Sequence, residues 1–144
     1  MIVISGVTSS LGISLSLLLA RKGIRVLGFA RRIDAVKDVL SHPLIQLKAA
    51  DLNEEISMRS ICSEAEVVVH LAALSSPWGK YADFFRVNVE GTQSIIRAAN
   101  LGKIKKFIHV STPSLYFDYR DRLKISEEDI LPKRSVNAYA ATKK

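Results

Sequence analysis

The sequence predicts an α/β fold in which helices cover both faces of a doubly wound parallel sheet. Short apolar segments alternate with amphipathic segments along the whole chain, and the first apolar segment runs straight into a turn that contains glycine. Alternating strands and helices are typical of parallel sheets, whose strands are joined by crossover helices. With right-handed crossovers, we expect the strand order 3-2-1-4-5.

Each expected element follows from its local pattern. The fourth strand is a continuous Val-Val-Val run, which is typical of a strand buried on both faces. Asp34 and Asn53 are the expected N-caps of the second and third helices, and Gly23 and Gly102 end the first and fourth. The expected strands are residues 2–5, 25–30, 44–48, 67–71 and 106–110. The expected helices are residues 10–22, 34–40, 54–62, 81–100 and a segment that begins at 137.

Length and charge restrict the class of protein. A chain of 144 residues, 48% of them hydrophobic, suits one domain over residues 1–144. The net charge of +7 comes from short basic clusters, which fall mostly where helices end or strands begin. This distribution favours ordinary surface placement and an anionic cofactor over a nucleic-acid-binding face.

The single cysteine, Cys62, excludes a disulfide framework. No apolar run approaches the roughly 20 residues of a membrane span, and the N-terminus lacks the basic region of a signal peptide. We therefore expect a cytoplasmic protein without a membrane segment, and we predict no metal site.

The turn after the first strand has the features of a phosphate-binding loop. Gly6 permits a tight turn, and Gly12 lets the next helix pack close to the strand. Backbone N–H groups at the start of that helix then hold a pyrophosphate. The middle glycine of the usual motif is absent, and Ser9 or Ser10 stands in its place. The position of the turn in an α/β pattern favours a dinucleotide site over a purely structural turn.

The end of the second strand bears on which dinucleotide is bound. NAD-binding sheets usually place an acidic residue there for the ribose 2′-hydroxyl, but this strand ends at Arg31 and Arg32. Two guanidinium groups suit a 2′-phosphate. We therefore favour NADP(H) over NAD(H); the alternative is a pair of solvated loop residues.

Tyr139 and Lys143 are spaced four residues apart and share one face of the expected last helix. A cation beside a phenol favours the phenolate, which makes Tyr139 a candidate general acid and base. The fifth strand leads into Ser111 and Thr112. Because ligands bind at the carboxyl ends of such strands, a hydroxyl and the Tyr/Lys pair should meet beside a nicotinamide.

Together these motifs resemble the extended short-chain dehydrogenase/reductase family, also called the NAD-dependent epimerase/dehydratase family. The resemblance covers the whole chain and implies a Rossmann domain that is truncated before the remaining strands and the substrate domain. Its landmarks occur in order: Gly6 to Gly12, Asp51-Leu52, His70-Leu71-Ala72-Ala73, Asn88-Val89-Glu90-Gly91-Thr92, Val110-Ser111-Thr112 and Tyr139 to Lys143.

The resemblance implies roles for individual residues. Tyr139 would transfer the proton, Lys143 would stabilise the phenolate and hold the nicotinamide ribose, and Thr112 would bind the substrate oxygen. Asn88 would order the strand–helix junction near the active site. The full set of expected cofactor-binding residues is Gly6, Thr8, Ser9, Ser10, Leu11, Gly12, Arg31, Arg32, Asp51, Leu52, Leu71, Ala72, Ala73, Asn88, Tyr139 and Lys143.

Simpler alternatives stand beside these roles. Asp51 could cap a turn, and Asn88 could be a hydrogen-bonded helix residue. We interpret His70 and His109 as core or strand-end residues rather than as catalysts, and Cys62 as an inert helix residue.

Finer signals bear on the substrate. Residues 76–79 and 111–117 resemble the 3β-hydroxysteroid dehydrogenase-like branch of the family, whereas nucleotide-sugar epimerases more often have alanine and glycine where Pro113 and Phe117 stand. We therefore favour a hydrophobic hydroxy or keto substrate. The alternatives are a nucleotide-sugar epimerase or dehydratase, a non-catalytic nucleotide-binding module and, from charge alone, a nucleic-acid binder.

The resemblance also implies a protein of roughly twice this length. We expect the 144-residue chain alone to have weak or no turnover, because the substrate domain would be missing. A homodimer is possible, since the fourth and fifth helices often pair between subunits in this family.

Overall fold

The computed structural model describes all 144 residues. Its five strands form one sheet in which every neighbouring pair is parallel. The strand order is β3-β2-β1-β4-β5, which confirms the predicted order. The strands are β1 Ile2–Ser5, β2 Val26–Ala30, β3 Ile45–Ala49, β4 Val67–His70 and β5 Lys106–His109.

Helices lie on both faces of the sheet, as the doubly wound prediction requires. One continuous helix, here called the long helix, is built from α3, a π-helical segment and α4. The helices are α1 Ser10–Arg21, α2 Glu55–Cys62, α3 Tyr81–Phe84, the π-helical segment Phe85–Glu90, α4 Gly91–Leu101 and α5 Ala138–Lys143. None of them has both the length and the apolar character needed to cross a membrane.

The core lies on both faces of the central strands. Val3 and Val68 point to the face covered by α2 and α4, where Met58 and Ile95 are fully buried. Ile4 and its neighbours point to the opposite face, where partly buried leucines of α1 pack against them. Burial on both faces explains why β1 and β4 are nearly all apolar.

The register brings the carboxyl ends of the central strands level with one another. Ser5, the last residue of β1, pairs with Phe29 of β2 and with His70 at the end of β4. The segments that follow these strands therefore emerge side by side. This edge of the sheet is where ligands bind in open α/β folds.

Two local predictions were wrong. Residues 34–40 do not form a regular helix, since only Asp34–Val36 makes a 3₁₀ turn and the residues after it are turns. Asp34 is the first residue of this turn and Ile33 stands at the N-cap position, so Asp34 does not cap it. The Asp34 carboxylate pairs instead with the Lys37 ammonium at 2.7 Å.

The N-cap of α2 is Glu54 rather than Asn53. The main-chain N–H of Asn53 donates to Oδ1 of Asp51 at 2.9 Å, and its side-chain Nδ2 donates to the same oxygen at 3.3 Å. Asn53 is therefore held in a turn closed by Asp51. Asp51 thus closes a turn, and its contact with the adenine stays a prediction.

Candidate cofactor-binding and active site

A cavity of about 310 Å³ lies at the carboxyl ends of the first four strands. Its walls come from the glycine turn, the ends of β2 and β3, the loop after β4 and the long helix. The predicted cofactor residues that line it are Gly6, Thr8, Ser9, Arg31, Arg32, Asp51, Leu52, Leu71, Ala72 and Ala73. The predicted residues outside its lining are Ser10, Leu11, Gly12, Asn88, Tyr139 and Lys143.

Ser9, which stands near the missing middle glycine, is the N-cap of α1. Its hydroxyl accepts a hydrogen bond from the Gly12 N–H at 3.0 Å and donates to the Gly6 carbonyl oxygen at 2.8 Å. Ser10 and Leu11 are the first two residues of the helix, so their N–H groups have no carbonyl partner one turn earlier. A helix start of this kind can bind a phosphate.

Both glycines of the turn are needed because the backbone is crowded. Gly6 has a φ of +70°, and a Cβ there would lie 2.8 Å from the backbone of Ala72. A Cβ on Gly12 would lie 2.6 Å from the Gly6 carbonyl oxygen. The turn is thus pressed against the loop after β4 on one side and against α1 on the other.

A buried polar network joins the ends of β1 and β4. The Ser5 hydroxyl accepts hydrogen bonds from the N–H groups of Leu71 (3.1 Å) and Ala72 (3.2 Å). Its own proton therefore goes to Nδ1 of His70, 2.6 Å away. His70 Nε2 then carries the proton that is donated to the Thr92 hydroxyl at 2.8 Å.

His70 is held in its neutral form. Burial, and to a lesser degree the positive charges of His109 and Lys143, lower the pKa of His70 to about 3. A neutral imidazole can accept the Ser5 proton while donating to Thr92, whereas an imidazolium could not accept. The interpretation of His70 as a core residue agrees with its burial. Ser5, its partner, was missed from the sequence.

Asn88 fastens the long helix to two other parts of the site. Its Oδ1 accepts the Leu74 N–H at 2.7 Å, and its Nδ2 donates to the Leu74 carbonyl at 3.1 Å and to the Thr142 hydroxyl at 3.0 Å. The buried Asn88 amide therefore holds the loop after β4 and helix α5 in position. Asn88 itself lies inside the long helix, and its side chain reaches the loop between β4 and that helix.

The last helix begins at Asn137, as predicted, because the Asn137 side chain accepts the Ala140 N–H at 2.8 Å. On this helix, the Lys143 ammonium donates to the Val110 carbonyl at 2.8 Å and to Nε2 of His109 at 3.0 Å. Desolvation lowers the pKa of Lys143, and desolvation together with the Lys143 charge lowers the pKa of His109. The two hydrogen bonds hold the Lys143 ammonium at the end of β5.

Thr112 follows two residues after Val110. Its hydroxyl accepts the Ser114 N–H at 3.3 Å and lies 3.2 Å from the Ser114 hydroxyl, so it caps the 3₁₀ turn Pro113–Tyr116. No side-chain hydrogen bond links Tyr139 to Thr112 or to Lys143. The structure thus brings Lys143 to the edge of the sheet that carries Thr112, with Tyr139 one helical turn earlier on the same helix.

The chain belongs to the NAD dependent epimerase/dehydratase family, because the model of that family matches residues 2–144. It is 33% identical over 144 residues to the uncharacterized protein YbjS of Escherichia coli. The match covers 99% of this chain and 42% of YbjS.

Two reductases are similar at the same level. A 4-hydroxy-2-methyl-3-oxo-4-farnesyl-3,4-dihydroquinoline-1-oxide ketoreductase of Stigmatella aurantiaca is 32% identical over 143 residues, covering 97% of this chain and 42% of that protein. A 2-alkyl-3-oxoalkanoate reductase of Shewanella oneidensis is 30% identical over 140 residues, covering 97% and 35%. The chain therefore spans less than half the length of these relatives.

Solved structures have the same fold. A short-chain dehydrogenase/reductase superfamily protein of Agrobacterium tumefaciens with bound NAD matches with a TM-score of 0.84 and 25% identity, over 99% of this chain and 42% of that one. A Bacillus cereus UDP-glucuronic acid 4-epimerase in complex with NAD matches with a TM-score of 0.85 and 24% identity, over 99% and 48%. The Rossmann prediction is confirmed.

Sequence reasoning missed one charged residue of the cavity. Arg86, in the π-helical segment, lines the cavity together with Val87. The available signal was its position two residues before the predicted Asn88, on the helix that follows the β4 loop.

We predict that His70 contributes to acid sensitivity. Its pKa is about 3 in the folded protein and near 6.5 when exposed, so the unfolded state binds the extra proton between these values. Folding stability from this group is complete above pH 6.5 and is lost as the pH falls. Between pH 7 and pH 5 the loss should be about 2 kcal/mol.

Urea denaturation of the wild type and of His70→Gln at both pH values measures this. The variant should lose less stability on acidification by about that amount, even if it is less stable at pH 7. Equal pH dependence in both proteins would show that His70 already titrates normally in the folded state.

Proposed function

We propose that this protein is an NADP(H)-dependent oxidoreductase that interconverts a hydroxyl and a keto group on a hydrophobic small molecule. One observation carries the proposal: Lys143 is fixed at the end of β5, on the edge of the sheet where the glycine turn and two unpaired arginines line a cavity. A cation one helical turn from a candidate general acid, on the same edge of the sheet as a candidate phosphate-binding turn, is an arrangement that suits nicotinamide chemistry.

The cavity residues suit the adenosine half of a dinucleotide. The N–H groups at the start of α1 would bind the pyrophosphate, and Asp51 with Leu52 would contact the adenine. Ala72 and Ala73 are small enough to let the cofactor approach the loop after β4. Arg31 and Arg32 form no ion pair with a carboxylate, since the ion pairs of the chain involve other residues. Both guanidinium groups therefore remain available to a 2′-phosphate.

The proposed chemistry divides between cofactor and protein. When bound, NADP(H) supplies or accepts the hydride at the substrate carbon. In the direction of reduction, the Tyr139 hydroxyl donates its proton to the carbonyl oxygen, and the Thr112 hydroxyl hydrogen-bonds to the same oxygen. The Lys143 ammonium stabilises the phenolate left on Tyr139 and binds the nicotinamide ribose. In oxidation, the phenolate takes the proton back.

The names of two relatives support the substrate class. Both the Stigmatella and the Shewanella relatives are named as reductases of oxo compounds, and one of these carries a farnesyl group and the other an alkyl group. We infer a keto or hydroxy compound with a hydrophobic part for this protein as well. The remaining expectations stay predictions: a small-molecule substrate rather than nucleic acid, a cytoplasmic location and a homodimer.

The second candidate function is a nucleotide-sugar epimerase or dehydratase. It is favoured by the similarity to a dTDP-glucose 4,6-dehydratase of Streptomyces griseus, 29% identical over 119 residues. Such an enzyme would keep its NAD(H) tightly bound through the reaction. Purified protein that carries NAD(H) and does not exchange it for added NADPH would favour this candidate.

Cofactor preference is tested with Arg31→Ala. Loss of a charge-assisted contact to the 2′-phosphate should weaken NADPH binding about tenfold to a hundredfold and leave NADH binding within about twofold. Arg25→Ala is the matched control, because Arg25 lies at the opposite end of the same strand region and is also exposed. Fluorescence titration of both nicotinamides gives the ratio. If the ratio of the two affinities is the same in Arg31→Ala and wild type, the NADP(H) preference has another origin or does not exist.

The proton-transfer role is tested with Tyr139→Phe. Removing the phenol hydroxyl should lower kcat by about 10²- to 10⁴-fold while NADPH binding is retained. Tyr81→Phe, an exposed tyrosine on α3, is the control and should keep full activity. Because the chain spans less than half the length of its relatives, kcat is to be measured on the full-length gene product that includes these 144 residues. Undiminished kcat in Tyr139→Phe would remove this residue from the mechanism.

A further inference from the structure

A third arginine, Arg86, lines the cavity from the long helix. Arg86 belongs to the π-helical segment of the long helix, whereas Arg31 and Arg32 follow β2. The Arg86 side chain is exposed, and no carboxylate lies within ion-pairing distance of it, because all four ion pairs of the chain involve other residues. Three guanidinium groups without acidic partners therefore line one cavity.

The charges around the cavity are unbalanced. Its titratable lining residues are the three arginines and the carboxylate of Asp51. The Asp51 carboxylate is already engaged by the backbone and side-chain N–H groups of Asn53. The lining thus carries two more positive than negative charges. An uncompensated excess of this kind favours a ligand that carries additional negative charge in the cavity.

The main chain that carries Arg86 is rigidly placed. Two residues later, the buried Asn88 amide is tied to Leu74 and Thr142. A Cβ on Gly91 would lie 3.0 Å from Cβ of Leu52, so the helix packs directly on the wall that contributes Leu52 to the cavity. The stem of Arg86 is therefore held at the cavity, while its long side chain is free to reach a ligand.

We propose that Arg86 is a third residue that selects the cofactor, by binding the 2′-phosphate of NADP(H) together with Arg31 and Arg32. This inference rests on the proposed NADP(H)-dependent function. NADPH differs from NADH by one phosphate group, and a guanidinium binds a phosphate through charge and paired N–H donors. Arg86 acts from the long helix, so the phosphate is held between two separate elements of the fold.

The variant Arg86→Gln tests the proposal, because glutamine keeps a polar side chain and removes the charge. The matched control is Arg97→Gln, the same change at an exposed position of the same helix, about three turns away from the cavity. The purified proteins are titrated with NADPH, NADH, 2′,5′-ADP and 5′-AMP. We expect Arg86→Gln to weaken binding of the two 2′-phosphorylated ligands about tenfold and to leave the other two within about twofold, with no change in Arg97→Gln.

Salt dependence gives a second readout. Raising the salt concentration should weaken NADPH binding less steeply in Arg86→Gln than in the wild type, because one ionic contact fewer is screened. Near-equal losses for all four ligands would mean that Arg86 contacts the shared adenosine part, and would overturn the proposal. Unchanged binding of all four would overturn it as well.

The failure of this inference is distinguishable from the failure of the proposed function. If Arg31→Ala lowers the preference for NADPH over NADH and Arg86→Gln does not, the proposed NADP(H)-dependent function is retained and the role of Arg86 is rejected. If the wild type binds neither dinucleotide, the proposed function and the role of Arg86 are both rejected. Both are also rejected if it binds NADH more tightly and no arginine variant changes the ratio of the NADPH and NADH affinities.

Discussion

The site depends on the close approach of the glycine turn to the loop that follows β4. No side chain fits at Gly6, because a Cβ would lie 2.8 Å from the backbone of Ala72. The Ser5 hydroxyl locks the two segments together by accepting the N–H groups of Leu71 and Ala72 and donating to the buried, neutral His70. Buried networks of this kind are costly when any partner is missing, so they define one arrangement. That arrangement places Gly6, Thr8 and Ser9 of the turn before α1 in the wall of the cavity.

The long helix extends this constraint to the rest of the site. His70 reaches Thr92 on this helix, and Asn88 ties the same helix to the loop after β4 and to α5. The helix that carries Lys143 is therefore placed relative to the glycine turn through side-chain hydrogen bonds rather than through the sheet alone. Lys143 is in turn fixed by the Val110 carbonyl at the end of β5. The cavity and the segment that carries Lys143 are thus linked through one set of polar contacts.

The fold and the lining of the cavity follow from sequence patterns because they depend on periodicity and on glycine. Alternating strands and helices predicted the strand order, and Gly6 with Gly12 predicted the turn. The errors arose where a side chain had a competing partner. Asp34 pairs with Lys37 instead of capping a helix, and Asn53 is held by Asp51. Contacts between distant segments, such as that of Ser5 with His70, leave no local pattern in the sequence. Arg86 was missed although it lies only two residues before the predicted Asn88. The catalytic and cofactor-contacting roles of individual residues remain predictions.

The central claim is that a dinucleotide binds with its pyrophosphate at the glycine turn and its adenosine end in the cavity lined by the arginines. Two-dimensional ¹H–¹⁵N NMR of the labelled protein during titration with NADPH tests this directly. The account predicts that the amide signals of residues 6–12, together with those of Arg31 and Ala72, shift in a saturable manner. It also predicts that the amide signals of the basic segment 103–106, which lies at the N-terminal end of β5 and away from the cavity, do not shift. Shifts confined to that basic segment, or no saturable shifts at the glycine turn, would contradict the account.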